Sequence, residues 1–443
     1  MSEPIEAFKN AFKIPELKNR IIFTLVMIAI YRLGCHVPTP GVDGAALAQK
    51  LSAGGGLLGF YDMFSGGAFS RATVFALGIM PYITASIILS LLIPVVKSLE
   101  DLQKQGAEGQ KKITEYTRYG TIVLCIIQSI GISVYLQGLG REIVPYPGIG
   151  FILICIISFT TGTAFIMWVG EQISERGVGN GISLLIFTSI VSRMPNAVYE
   201  LFNLVFISKQ LNVVKGLFLV ALMVLVVAGS IAVTTGQRRI PVQYPRQVKG
   251  RRVSGGQRTY LPLRVNQAGV IPIIFASSIL QLPGTLASSV KSPWLEPIIR
   301  ELFVPGNWGY MALYGILIIF FAFFYTAITF NPAEMADNMK KYGGVIVGVR
   351  PGKATADYLN YIMTRITLSG AIFLTVIALM PELVYMLLNV PSWTIVQFFG
   401  GTSLLILVGV ALDTIKQMEQ HLIMRHYDGF SGKGGRIRAR RGF

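Results

Sequence analysis

Few residues of this sequence are placed to do covalent chemistry. Its 3 cysteines, Cys35, Cys125 and Cys155, show no paired spacing and fall in or beside apolar runs, where they read as small packing residues. His421 and His426 are 5 apart, which misses the i,i+4 spacing that puts two ligands on one helix face. The sequence offers no phosphate-cradling glycine loop, carboxylate pair or nucleophile motif. No catalytic residue, metal or cofactor is therefore expected. Two other kinds of residue stand out. Isoleucines recur at matched positions and can build a dry constriction. Lysines and arginines crowd into a few loops and can hold an anionic partner.

The isoleucines belong to an internal repeat. Residues 78–89 (GIMPYITASIIL) and 269–280 (GVIPIIFASSIL) agree at 7 of 12 positions, including Gly78/Gly269 and Pro81/Pro272. A weaker echo links 180–187 (NGISLLIF) to 400–407 (GGTSLLIL). Together they pair Ile83 with Ile274 and Ile186 with Ile406. Ile79 lies one helical turn from Ile83, and Ile182 one turn from Ile186, each on the same face. Gathered around one centre, such side chains would resist water and ions by dewetting. Scattered, they would simply face lipid or other helices.

To gather them, the chain must cross a membrane repeatedly. Hydrophobic residues make up 52% and charged residues 14% of the sequence, and mean hydropathy is +0.58. Apolar runs long enough to span lie near 20–37, 72–93, 117–137, 149–170, 181–204, 214–235, 266–287, 309–330, 366–387 and 395–415. The first echo joins the second and seventh runs, the second echo the fifth and tenth. An odd separation makes each pair antiparallel, as in an inverted repeat. Most Lys and Arg fall on one side when the N-terminus is inside, so both termini are expected to be cytoplasmic. The first run lacks a small-residue cleavage pattern and reads as a retained span. At mid-depth the runs read as uncharged. Arg32 is near the external end of the first, while Glu171 and Asp413 are near cytoplasmic ends. That pattern argues against the alternative of a secondary transporter of small solutes. A membrane-embedded enzyme would need a polar catalytic pair at depth.

The expected fold is an all-α membrane protein, with ten transmembrane helices in two inverted pseudo-symmetric halves of five and a short re-entrant plug helix. The re-entrant element is YDMFSGGAFSRA (61–72), too short and polar to cross, with Gly66 and Gly67 as a flexible joint. It reads either as a mobile plug or as an ordinary external loop helix. The seventh run carries Asn266, Gln267, Ser277, Ser278 and Gln281, which call for protein or water neighbours. The divisions are 1–19, a cytoplasmic amphipathic segment; 20–208, the first half; 209–418, the second half, with cytoplasmic loops 236–264 and 331–365; and 419–443, a basic tail.

Loop 236–264 holds Arg238, Arg239, Arg246, Lys249, Arg251, Arg252, Arg258 and Arg264 among Val, Ile and Tyr, with turn residues between, which predicts a β-hairpin. The later loop carries Lys340, Lys341, Arg350 and Lys353. Attraction to anionic lipid contributes about 1 kcal/mol per basic residue. A folded loop with this many cations goes beyond topology and favours docking of a large anionic partner such as RNA.

Several long segments carry a specific resemblance. Residues 62–88, GEQISERGVGNGISLLIF (170–187), LPLRVNQAGVIPIIFASSIL (261–280), FNPAEMADNMKKYGG (330–344), GVRPGKATADYL (348–359) and FGGTSLLILVGV (399–410) resemble the SecY/Sec61-alpha family, the channel-forming subunits of Sec protein translocons. The resemblance runs from about residue 5 to about 420, in order. It implies a channel passing unfolded secretory proteins across the cytoplasmic (inner) membrane and releasing transmembrane segments sideways into lipid. It implies a pore ring of Ile79, Ile83, Ile182, Ile186, Ile274 and Ile406. It also implies a plug over 57–71 that includes Phe64, Ser65, Gly66, Gly67, Ser70 and Arg71. A lateral gate between spans 2 and 7 would involve Thr84, Asn180, Ser278 and Leu282. Cytoplasmic docking would use Arg238, Arg239, Arg246, Arg251, Arg252, Arg258, Arg350 and Lys353. The partners implied are SecE and SecG, the SecA motor ATPase, the ribosome through its RNA and protein, signal sequences and nascent polypeptides, anionic lipids, YidC and SecDF. The chain itself would be a conduit and not an enzyme. The tail past residue 430 matches no pattern of the family.

Overall fold

The computed structural model describes residues 15–53, 62, 64–244, 247–249, 252–254, 258–287, 296–388, 390, 392–399 and 401–431. They are mostly helical. In chain order the helices are α1 (Pro15–Gly34), α2 (Gly44–Ala53), α3 (Met80–Leu92), α4 (Lys97–Lys104), α5 (Ala107–Gly138), α6 (Ile149–Arg176), α7 (Gly181–Phe202, continued by a π turn over Asn203–Ile207) and α8 (Val213–Thr235). There follow α9 (Ile271–Ala287), α10 (Glu296–Phe303), α11 (Trp308–Thr329), α12 (Pro332–Lys341), α13 (Lys353–Leu388), α14 (Trp393–Phe399) and α15 (Thr402–Ser431). The strands are β1 (Gln237–Gln243), β2 (Gln247–Lys249), β3 (Arg252–Ser254), β4 (Arg258–Arg264) and β5 (Val345–Ile346).

Among the described residues, 6 helical stretches are long and apolar enough to cross a membrane: α5, α6, α7 with its π turn, α8, α11 with α12, and α13. A seventh is reached if α3 and α4, bent by 98°, count as one broken span. The expected run near 20–37 forms helix α1, which is not among these stretches, and three other expected runs differ from simple spans for local reasons. In the run 72–93, residues 72–79 form turns and the helix begins only at Met80. In 266–287 the helix begins at Ile271. In 395–415 the helix is interrupted between Phe399 and Thr402. There Gly401 has φ +139°, and a Cβ would lie 2.4 Å from the Ile377 carbonyl oxygen.

The repeated Gly-x-x-Pro explains the two late starts. Gly78 (φ +58°) and Gly269 (φ +62°) both take the left-handed conformation two residues before a helix. Pro81 and Pro272 then sit in the first turns, where a missing N–H costs nothing. The second echo also falls at helix starts, of α7 at Gly181 and α15 at Thr402.

Packing divides into two groups. α1, α3, α5, α6 and α7 pack in a chain of neighbours, as do α8, α9, α11, α13, α14 and α15. The groups meet where α9 packs on α3 and α5, and where α14 and α15 pack on α7. The expected β-hairpin over 236–264 forms, with β1 antiparallel to β4 from Gln237↔Arg264 to Gln243↔Arg258. β5 from the later loop joins the other edge of β1, so both cationic loops share one sheet. Ile240, Val242, Leu263 and Ile346 bury one face against Leu359, Ile362 and Met363 of α13. The expected boundary at 419 is crossed by α15, which continues to Ser431.

Candidate functional site

The six isoleucines lie in four segments, and the fold brings them into one apolar cluster. Ile79, Ile83, Ile186 and Ile406 are buried members, with Ile182 and Ile274 packed against them half-buried. Ile79 precedes α3, Ile83 is within it, Ile182 and Ile186 share a face of α7, Ile274 is on α9, and Ile406 on α15. The cluster therefore draws on both packing groups.

Beside part of this set lies a cavity of about 440 Å³. Ile186, Ile274 and Ile406 line it together with Asn180, Asn266, Gln267, Asp413 and Lys416. Polar groups thus share the chamber with three of the isoleucines. Arg264, the last residue of β4, also lines it, which places the cationic sheet beside this chamber. A space of this size accommodates a few side chains of an extended peptide. Branched aliphatics offer such a peptide no hydrogen bonds and make a dry contact.

Of the expected plug, Asp62 and residues from 64 onward are described, while residues 57–61 and 63 lie outside the described residues. Phe64, Ser65, Gly66 and Gly67 are buried, Ser70 is half-buried and Arg71 exposed. Phe64, Ala68 and Phe69 belong to the same cluster as the isoleucines. Backbone pairing continues this segment into the protein, with Thr39 N–H donating to the Ala72 carbonyl at 2.8 Å and Val74 N–H to the Val37 carbonyl at 3.0 Å.

Of the expected gate, Thr84 on α3 and Ser278 on α9 are buried, on helices that pack together. Both hydroxyls donate to their own helix, Thr84 to the Met80 carbonyl at 3.0 Å and Ser278 to the Ile274 carbonyl at 2.7 Å. Asn180 caps α7, its Oδ1 accepting from Ser183 N–H at 3.2 Å, and stands on the cavity wall. The Leu282 side chain lies outside the described residues. Of the docking residues, Arg238, Arg239, Arg350 and Lys353 are exposed. Arg252 and Arg258 lie in β3 and β4, their side chains outside the described residues, as Arg246 and Arg251 are altogether.

One expectation is corrected. The apolar runs are not free of charge at mid-depth, because Arg193 lies well inside α7. It pairs with the Asp62 carboxylate and is only partly exposed. A single arginine in an apolar helix is a visible signal, since a cation at depth demands a partner. Its partner, 131 residues away, is not. The absence of mid-depth charge therefore does not weigh against a transporter.

The SecY family profile matches residues 73–415. The protein translocase subunit SecY of Thermotoga maritima is 45% identical, over 98% of this chain and 100% of that one. The fold is similar to that of a SecY protein described as having a plug domain that stabilises the closed state of the translocation channel and maintains a membrane seal. That similarity has a TM-score of 0.63 at 16% identity, covering 94% of this chain and 97% of the other. It is also similar to Sec61 in the canine ribosome-channel complex from the endoplasmic reticulum, with a TM-score of 0.60 at 15% identity, covering 94% and 97%.

Proposed function

This chain belongs to the SecY family, and from that premise we propose that it is the protein-conducting channel of a Sec translocon. The observation that carries the mechanism is the chamber whose wall includes Ile186, Ile274 and Ile406, drawn from three helices in both packing groups. An unfolded chain enters that chamber among polar side chains and passes the isoleucines. Ile79, Ile83, Ile182, Ile186, Ile274 and Ile406 act as a gasket around it, excluding water by dewetting and not by charge. Residues 57–71 act as the plug. The α3–α9 seam is the lateral gate, with Thr84, Asn180, Ser278 and Leu282 along it, through which apolar segments leave for lipid.

The reading includes ten spans in two inverted halves, in the cytoplasmic membrane with both termini inside. The matched left-handed glycines before α3 and α9 support the inverted repeat. The exposed cations of the shared sheet and adjoining loop support docking of the ribosome or the SecA motor, which supply the work. SecE, SecG, YidC, SecDF and anionic lipids complete the partners. The channel itself performs no covalent chemistry.

Proteoliposomes containing the purified complex, given SecA, ATP and a secretory precursor, test this. The reading predicts that the precursor becomes protease-protected only when it carries a working signal sequence. Protection independent of the signal sequence, or none above empty liposomes, contradicts it.

A further inference from the structure

The pairing of Arg193 with Asp62 is one of three arginine hydrogen bonds on the same short segment, Arg193 also donating to the Ser70 hydroxyl at 3.5 Å. Arg32, on α1, donates from Nη1 to the Gly66 carbonyl at 2.8 Å. Arg193, on α7, pairs with the Asp62 carboxylate, whose Oδ1 accepts from the Ser70 N–H at 2.7 Å. Asp62 thereby ties the ends of the 62–70 loop together and holds it to α7. The Gly67 N–H donates to the Asp62 carbonyl at 2.9 Å, closing the loop from inside. Two left-handed glycines let it approach so closely. A Cβ at Gly66 (φ +65°) would lie 3.0 Å from Arg32 Nη1 and 3.1 Å from Ser189 Cα, and one at Gly67 (φ +88°) 3.3 Å from Arg193 Nη2.

The apolar packing of this segment, through Phe64, Ala68 and Phe69, is non-directional. It favours burial without fixing one position. The arginine hydrogen bonds are directional, and all of them break once the segment moves away. Asp62 is 8% and Arg193 23% exposed at the side chain, so each group depends on the other for compensation. A cation inside an apolar helix is costly to keep. Its retention here makes sense if the segment has two positions, one paired and one in which water in an opened passage hydrates both partners.

We propose that Arg193 and Arg32 form a two-point latch on residues 62–70, Arg193 through the Asp62 carboxylate and Arg32 through the Gly66 carbonyl, and that the latch sets how readily the channel opens. Arg193 and Asp62 are then positioning residues that determine which signal sequences suffice to open it. This inference rests on the reading of the segment as a plug.

The test uses the purified full-length complex in planar lipid bilayers without a translocating chain, recording ion conductance. Asp62→Asn and Arg193→Gln each remove one charge with little change of shape. Each is expected to raise the open fraction by about tenfold or more, equivalent to about 1.4 kcal/mol. The exchanged pair, Asp62→Arg with Arg193→Asp, is expected to return it toward the parent, which a merely structural loss does not do. Export of a precursor with a weakened signal sequence should rise in the single variants and fall again in the exchange. A complex lacking residues 62–70 separates the two layers of the argument. If it leaks while both single variants stay at parental conductance, the segment is a plug but the latch is refuted. If the exchange leaks as much as the singles, the pairing is refuted. If the deletion does not leak, the plug reading fails and the latch with it.

Discussion

Substitution of Ile186 separates a seal from a residue that is only buried. Ile186 is 3% exposed and lines the chamber beside Ile274 and Ile406. Ile318 on α11 is 0% exposed, sits in the second apolar cluster and lies outside the chamber wall. Truncation of either to alanine removes the same groups and costs about 2–5 kcal/mol of stability. Thermal unfolding of the purified complex should therefore fall comparably for both. Their effects on the passage should differ. Burying an isoleucine side chain is worth about 1.5–3 kcal/mol. Asparagine forfeits that and adds an amide that costs about 1–3 kcal/mol when left dry. Together these favour water in the constriction by roughly 2.5–6 kcal/mol. A shift of that size raises the hydrated fraction by roughly two orders of magnitude or more. Dye release from sealed proteoliposomes reads the leak directly. The expected order is Ile186→Asn above Ile186→Ala above parent, with Ile318→Ala and Ile318→Asn tight despite their reduced stability. Equal leakage from the two positions, or none from Ile186→Asn, refutes the reasoning.

Three further substitutions test the docking and packing arguments. Arg350→Glu, at an exposed position of the cationic loop, should weaken ribosome binding in co-sedimentation. If Arg350 neutralises a phosphate of ribosomal RNA, the log–log salt dependence should flatten by about 0.7–0.9 for each phosphate that the variant leaves unneutralised. An unchanged slope excludes a phosphate partner there. Gly181→Ala places a Cβ 1.9 Å from the Gly170 carbonyl oxygen, so α6 and α7 must separate. Its cost should be about 1–3 kcal/mol, seen as a lower melting temperature. Gly131→Ala, within α5 and with no atom within 4 Å of the new Cβ, should instead be stabilising by about 0.5–1 kcal/mol.

The parts of the fold legible in the sequence are those with local causes. The Gly-x-x-Pro echo carries a left-handed residue and a first-turn proline, so its recurrence marks two equivalent helix starts. The hairpin over 236–264 alternates apolar and polar residues, which places Ile240 and Val242 inward together. What escaped has long-range causes. β5 is only Val345–Ile346, too short to show a period, and becomes a strand because the exposed edge of β1 accepts it. Residues 72–79 are apolar enough to read as the start of a span. They fold into turns because Gly78 ends them and because their backbone pairs with residues 37–39. Arg193 stands in an apolar helix, and only the tertiary fold supplies Asp62 to neutralise it. Among the isoleucines, the repeat supplied four of the six. Their convergence on one cluster depends on helices far apart in the chain.

The central claim is that a polypeptide threads through the isoleucines. Single cysteines at Ile83, Ile186, Ile274 and Ile406, in a background lacking Cys35, Cys125 and Cys155, test it most directly. Each complex is given a stalled secretory chain bearing one cysteine and oxidised. The account predicts disulfide adducts at all four positions and none at exposed Ile157 on α6 or Leu217 on α8. Unreactive isoleucine positions beside reactive controls would place the passage elsewhere and contradict the account.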